Sequence, residues 1–188
     1  MKLLKLSYLF AVLIVAVSCD PAKQFEAEIQ EVDSCITSIE QMEERLEGIK
    51  FDSLMFMVDH IRMNENRLEM YYRPDTLNED LGRLMNDCKG IRKSLPDLKG
   101  KKTYFADEMN AIKNQFKTLK EDIVNGLFDK EQIDKYLEKE KADLEILAIT
   151  FNGFDELQKK QSETYYYAVP KVDEYIKEMI AQSDTLAQ

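Results

Sequence analysis

The chain has 188 residues, with 36 acids against 26 Lys and Arg and a formal net charge of −10 at pH 7. Such a chain repels phosphate backbones and anionic headgroups, which argues against nucleic acid as a partner and against electrostatic attraction to a membrane. Glycine and proline are scarce while Glu, Lys, Leu, Met and Ile are plentiful, so the composition favours helix, and the length suits one domain with its own core.

The start of the chain is set apart from the rest. Met1 to Lys5 is short and basic, and Leu6 to Val17 is apolar except for Ser7 and the hydroxyl of Tyr8. A membrane-spanning helix requires about 20 apolar residues. This run is too short, and its basic start and small closing residues fit an export signal instead. Ala16-Val17-Ser18-Cys19 closes it, and the sequence turns acidic at Asp20.

These residues resemble a bacterial lipoprotein signal peptide, with Ala16 to Cys19 as its lipobox. The resemblance covers the N-terminal tenth of the chain. It implies cleavage after Ser18, a thioether to diacylglycerol on the Cys19 sulfur, and an acyl group such as palmitate on the new amine. It implies a bacterial cell-envelope protein held on a membrane through Cys19, the outer membrane favoured. Two acyl chains anchor stably where one anchors marginally. On this reading residues 1–18 are removed and 19–24 form the lipidated anchor and a short tether. Residues 25–182 are then a single helical domain, and 183–188 fray. Cleavage takes away Lys2 and Lys5 and no acid, so the mature chain is more acidic still.

The first mature helix is expected over about 22–48, with the stripe Phe25, Ile29, Val32, Ile36, Ile39 and Leu46 interrupted by Glu43. Gly48 suggests a break, with Asp52 capping a second helix over about 53–72, although one bent helix over 22–72 fits nearly as well. The second stripe is Leu54, Met57, Val58, Ile61, Leu68 and Tyr72. Pro74 stops it. Thr76-Leu77-Asn78-Glu79 has the spacing of a capping box for a third helix, Leu77 to Leu95, which Pro96 ends. Lys99-Gly100-Lys101-Lys102 reads as a basic loop. A fourth helix over about 104–124 carries Phe105, Met109, Ile112, Phe116, Leu119 and Ile123, and Asn125-Gly126 stops it. Asp129-Lys130-Glu131-Gln132 is another capping box. It opens a long helical segment through Ile133, Leu137, Leu144, Leu147, Phe151, Phe154, Tyr165, Val172, Ile176 and Met179, which Asn152-Gly153 and Pro170 could break or kink.

One stripe per helix and short connections predict an all-α fold. Its economical form is an antiparallel helical bundle of about four to six helices, elongated and coiled-coil-like.

Chemistry-bearing residues are few. His60 is the only histidine, and Met57 and Met63 lie three residues either side, on one arc of a helix. Imidazole with thioether can ligate copper(I) or haem iron. The simpler reading is core methionines with a flanking histidine, and no cofactor is expected. Tyr165-Tyr166-Tyr167 turns three rings through successive 100° steps, so at least one faces water, and Tyr71-Tyr72 does the same. Exposed tyrosines suit contact with a protein or glycan. Cys35 and Cys88 are candidates for a disulfide in an oxidising envelope, with two buried free thiols the favoured reading. The pairs Glu43-Glu44 and Glu79-Asp80 read as solvated helix faces, and no nucleophile elbow, HExxH, P-loop or dinucleotide turn is present. The residues therefore point to a non-enzymatic, lipid-anchored helical module that binds another envelope protein or a glycan. Ligand binding is the alternative and a hydrolase ranks last.

Overall fold

Apolar residues spaced three and four apart give each helix one buried face, and those faces meet along a common axis. The computed structural model describes residues 21–72 and 78–186. The expected signal peptide, Cys19, the Pro74 stop and Thr76-Leu77 lie outside the described residues.

Among the described residues there are five long helices and one single turn. The turn α1 is Pro21–Gln24, with proline at the position where its missing N–H costs nothing. Then follow α2 (Glu26–Gly48), α3 (Phe51–Tyr71), α4 (Glu79–Ser94), α5 (Leu98–Val124) and α6 (Lys130–Leu186). The described chain is all-α, and its helices pack against one another as a bundle.

They stand in three columns. Helices α2 and α3 run end to end as the first, α4 and α5 return as the second, and α6 alone is the third. At 57 residues, α6 is about 85 Å long. In the lower half α2, α5 and the start of α6 pack together, and in the upper half α3, α4 and the end of α6 do. Ion pairs fix the directions. Glu28 meets Lys130 and Arg45 meets Asp155, so α2 runs parallel to α6. Asp33 meets Lys120 and Glu43 meets Lys113, so α5 runs antiparallel to α2.

Residues 22–72 form two helices, divided at Ile49-Lys50. Asp52 is not the cap of the second. Lys50 holds that position without a side-chain hydrogen bond, and Asp52 lies in the first turn. Asn78 caps α4 by accepting from the Leu81 N–H at 2.9 Å. The Lys99–Lys102 stretch is not a loop either. It is the opening of α5, because Asp97 turns left-handed (φ 48°) and its carboxylate accepts from the Gly100 N–H. A Cβ at Gly100 would stand 2.1 Å from that carboxylate, so a larger residue there would make the Asp97 side chain shift. Asp129 and Gln132 do form a reciprocal capping box, at 2.9 and 3.1 Å.

An aromatic joint spans the α2–α3 break. There Phe51, at the start of α3, stacks on Phe154 at 5.9 Å, and Phe105, two turns into α5, packs against both Phe151 and Phe154. Lys102, Lys101 and Arg45 lie over Phe51, Phe154 and Phe151 respectively. Helix α6 crosses this joint unbroken in spite of Asn152-Gly153. Burying Phe151 and Phe154 on either side outweighs the glycine penalty of about 1 kcal/mol. Pro170 also stays within α6, on the exposed side, where water can reach the carbonyl its ring leaves unbonded.

Candidate functional site

The upper half carries a polar network inside the bundle. The His60 ring, on α3, has its Nδ1 2.7 Å from the Tyr165 hydroxyl on α6. Its Nε2 lies 3.3 Å from Asp173 Oδ1. That carboxylate favours the proton on Nε2, which leaves Nδ1 to accept from Tyr165. Asn64 is buried and donates to the same Asp173 oxygen at 2.7 Å, while its own Oδ1 has no partner. Burial, with Asp173 nearby, raises the Tyr165 hydroxyl above the ordinary tyrosine range and keeps it protonated.

A tyrosine, a histidine and a carboxylate in line have the form of an activated nucleophile. The surroundings do not suit that use. Tyr165 is buried among core residues, and neither it, His60 nor Asp173 lines any of the four grooves described below. The network's evident work is to match α3 to α6 in one register. It also engages both nitrogens of His60. Of the two flanking thioethers, Met57 is buried and Met63 is exposed, so they face different surroundings. Among the described residues no three His, Cys, Asp or Glu side chains group as a metal site.

The tyrosine triplet fans out around α6. Tyr165 points inward, while Tyr166 and Tyr167 are 67% and 61% exposed. Tyr167 lines a groove of about 860 Å³ between α4 and α6, with Asp80, Arg83, Asp87, Lys171 and Tyr175. Lys171 lies 3.6 Å over the Tyr167 ring. Tyr166 lines a smaller groove of about 480 Å³ beside the joint, with Arg45, Lys50, Asp155 and Lys159. The remaining two grooves, of about 590 and 400 Å³, flank α4 and the α5–α6 interface. Tyr71 is exposed at the end of α3, but Tyr72 is not free for recognition. Its hydroxyl accepts from the Asn78 N–H at 3.2 Å and ties α3 to the start of α4.

Asp155 is a buried carboxylate that periodicity does not reveal. Burial works against its charge, but hydrogen bonds from Arg45, Lys159 and Gln158 outweigh that and hold it below the ordinary aspartate range.

The cysteines do not pair. Both are free thiols, Cys35 close to Lys141 in the lower half and Cys88 close to Asp173 in the upper half. Those α6 residues are about 48 Å apart along the helix, far beyond disulfide reach. Burial raises both thiols, Cys88 to about 11. Each therefore stays protonated and unreactive at neutral pH.

What the geometry defines, then, is an all-α three-column rod with an aromatic, charged groove on its upper half. No known protein family, curated protein or solved structure matches this chain.

Proposed function

We propose that this chain is a bacterial envelope lipoprotein. Lipid on Cys19 holds it on a membrane, the outer membrane favoured, and its helical rod is a non-enzymatic module that binds another envelope protein. The observation that carries this reading is the place of Pro21. It lies two residues after Cys19 and packs on the α5–α6 turn, at one tip of the rod. Attachment there leaves both flanks and the opposite tip free for a partner. Among the described residues no helix is long and apolar enough to cross a membrane, which is in keeping with attachment by lipid. The α4–α6 groove offers tyrosine rings with charges of both signs, a composition suited to a polar protein surface. Its Tyr167 and Tyr175 beside Asp80 and Asp87 also favour a second reading, a glycan ligand stacked on the rings.

Labelling cells with a palmitate analogue should tag the wild type and leave Cys19→Ala untagged; equal labelling refutes the anchor. In-cell crosslinking followed by mass spectrometry should give one dominant envelope partner, lost in Tyr167→Ala. A partner retained by that variant moves the contact off the groove.

A further inference from the structure

Resting on the lipoprotein reading, we infer that the α5–α6 tip is a membrane-contact surface, with Leu127 and Val124 pressed against the bilayer that holds the Cys19 lipid. Pro21 is the fixed point. Its Cγ and Cβ lie 3.0 and 3.5 Å from where a side chain on Gly126 would begin, so the N-terminal turn is seated on the turn joining α5 to α6. Cys19 precedes Pro21 by two residues, and two extended residues span about 7 Å at most. Acyl chains on Cys19 therefore enter the bilayer close to this turn.

The turn is apolar where it meets solvent, and its shape keeps it so. Gly126 is left-handed (φ 66°), the Gly126 N–H donates to the Ile123 carbonyl, and the Leu127 N–H donates to the Asp122 carbonyl. That pair of bonds is the Schellman stop. In such a stop the residue at the Leu127 position usually folds back on an apolar residue at the place Asp122 holds here. Without that apolar partner Leu127 remains 63% exposed, with Val124 41% exposed beside it. Tyr136, tilted against Phe128 with ring centroids 4.9 Å apart, is a further exposed ring near this end.

Charge contributes little to the contact. Asp122 and Asp129 flank the turn, Lys130 is already engaged by Glu28 and Asp134, and Lys23 of α1 is an exposed lysine nearby. An acyl layer finds a leucine and a valine held outward on a rigid turn.

The chain has no tryptophan, so one can be added as the only indole. The lipidated protein, made in bacteria, would carry Leu127→Trp or, as the reference, Tyr166→Trp, about 50 Å farther along α6. Both sites are exposed, and circular dichroism confirms that each variant folds. In phosphatidylcholine vesicles with brominated acyl chains, Leu127→Trp should show a blue shift and loss of emission, and Tyr166→Trp neither. Unchanged Leu127→Trp emission from a protein whose mass shows lipid on Cys19 overturns the contact and leaves the anchor standing. Quenching at both positions means that the rod lies flat and likewise overturns it. No lipid mass on Cys19 overturns the anchored reading, and the contact with it.

Discussion

The two halves of the rod are held together differently. In the lower half the packed interior is apolar apart from Glu140, and ion pairs cross between columns at its margins: Glu28 with Lys130, Glu31 with Lys141, Asp33 with Lys120 and Glu43 with Lys113. In the upper half, beside the Arg92–Glu65 pair between α4 and α3, a further polar network reaches inward to the buried Asn64 and Tyr165, with the half-buried His60 and Asp173. Exposed ion pairs contribute about 0–1 kcal/mol each and adapt to small shifts. Buried hydrogen bonds are costly to leave unmade, so they tolerate one register only. The lower half thus has a robust but permissive interface, and the upper half a selective one. The Phe51–Phe105–Phe151–Phe154 joint couples them.

The joint is where the comparison breaks most severely. Phe151 is fully buried between Phe105 and the Arg45 guanidinium. Phe151→Ala should cost about 3–5 kcal/mol, read from urea unfolding by circular dichroism. A loss under about 1 kcal/mol would mean that the two halves stand without the joint.

Asp155 sits just above it and gives the next effect. Asp155→Ala should cost about 1–2 kcal/mol; Arg45 and Lys159 are largely exposed and return to water, which limits the loss. The pH dependence follows from the lowered pKa of this carboxylate. A depressed folded-state value means that the unfolded chain takes up the proton first as pH falls. The contribution is complete above about pH 4 and is lost as pH drops through the folded value. Wild type and Asp155→Asn should therefore differ at pH 7 and converge in acid. Parallel stability profiles from pH 7 to pH 2 would contradict this.

Within the selective upper half, Tyr165→Phe removes only the hydroxyl that reaches His60. The expected loss is about 1 kcal/mol. The comparison sharpens if Lys120→Ala, which removes a lower-half surface pair, costs clearly less in the same urea assay. Equal losses would erase the distinction between the halves.

The stripes of α4 and α5 could be read from spacing alone. Leu81, Leu84, Cys88, Ile91 and Leu95 are all buried, as are Phe105 through Ile123 at the predicted positions. The start of α5 could not, because a run of lysines around Gly100 has loop composition and the Asp97 cap depends on a left-handed backbone. The site was less accessible still. Successive 100° steps foretell that Tyr165, Tyr166 and Tyr167 diverge, but not which of them turns inward. The His60–Tyr165 pair joins residues 105 apart, and so does the seat of Pro21 on Gly126. Local pattern carries the faces of helices, and only tertiary packing decides which faces meet.

The smallest effect bears on whether α6 is a single spine for both halves. Gly153 is the one glycine in α6, and Asn152-Gly153 is a stop pattern that the helix overrides. No atom lies within 4 Å of the place a Cβ would take there. If the helix is continuous, Gly153→Ala removes backbone freedom from the unfolded chain with no clash in the folded one, and should stabilise by about 0.5–1 kcal/mol. If the chain instead bends at this point in solution, alanine penalises the bent form and the gain disappears. Urea midpoints of Gly153→Ala and wild type decide between them, because a rise requires residue 153 to be helical. That sign is more informative than its size. A continuous α6 is what lets a selective upper half and a permissive lower half share one spine, with the tip beside Pro21 at one end and the α4–α6 groove far from it.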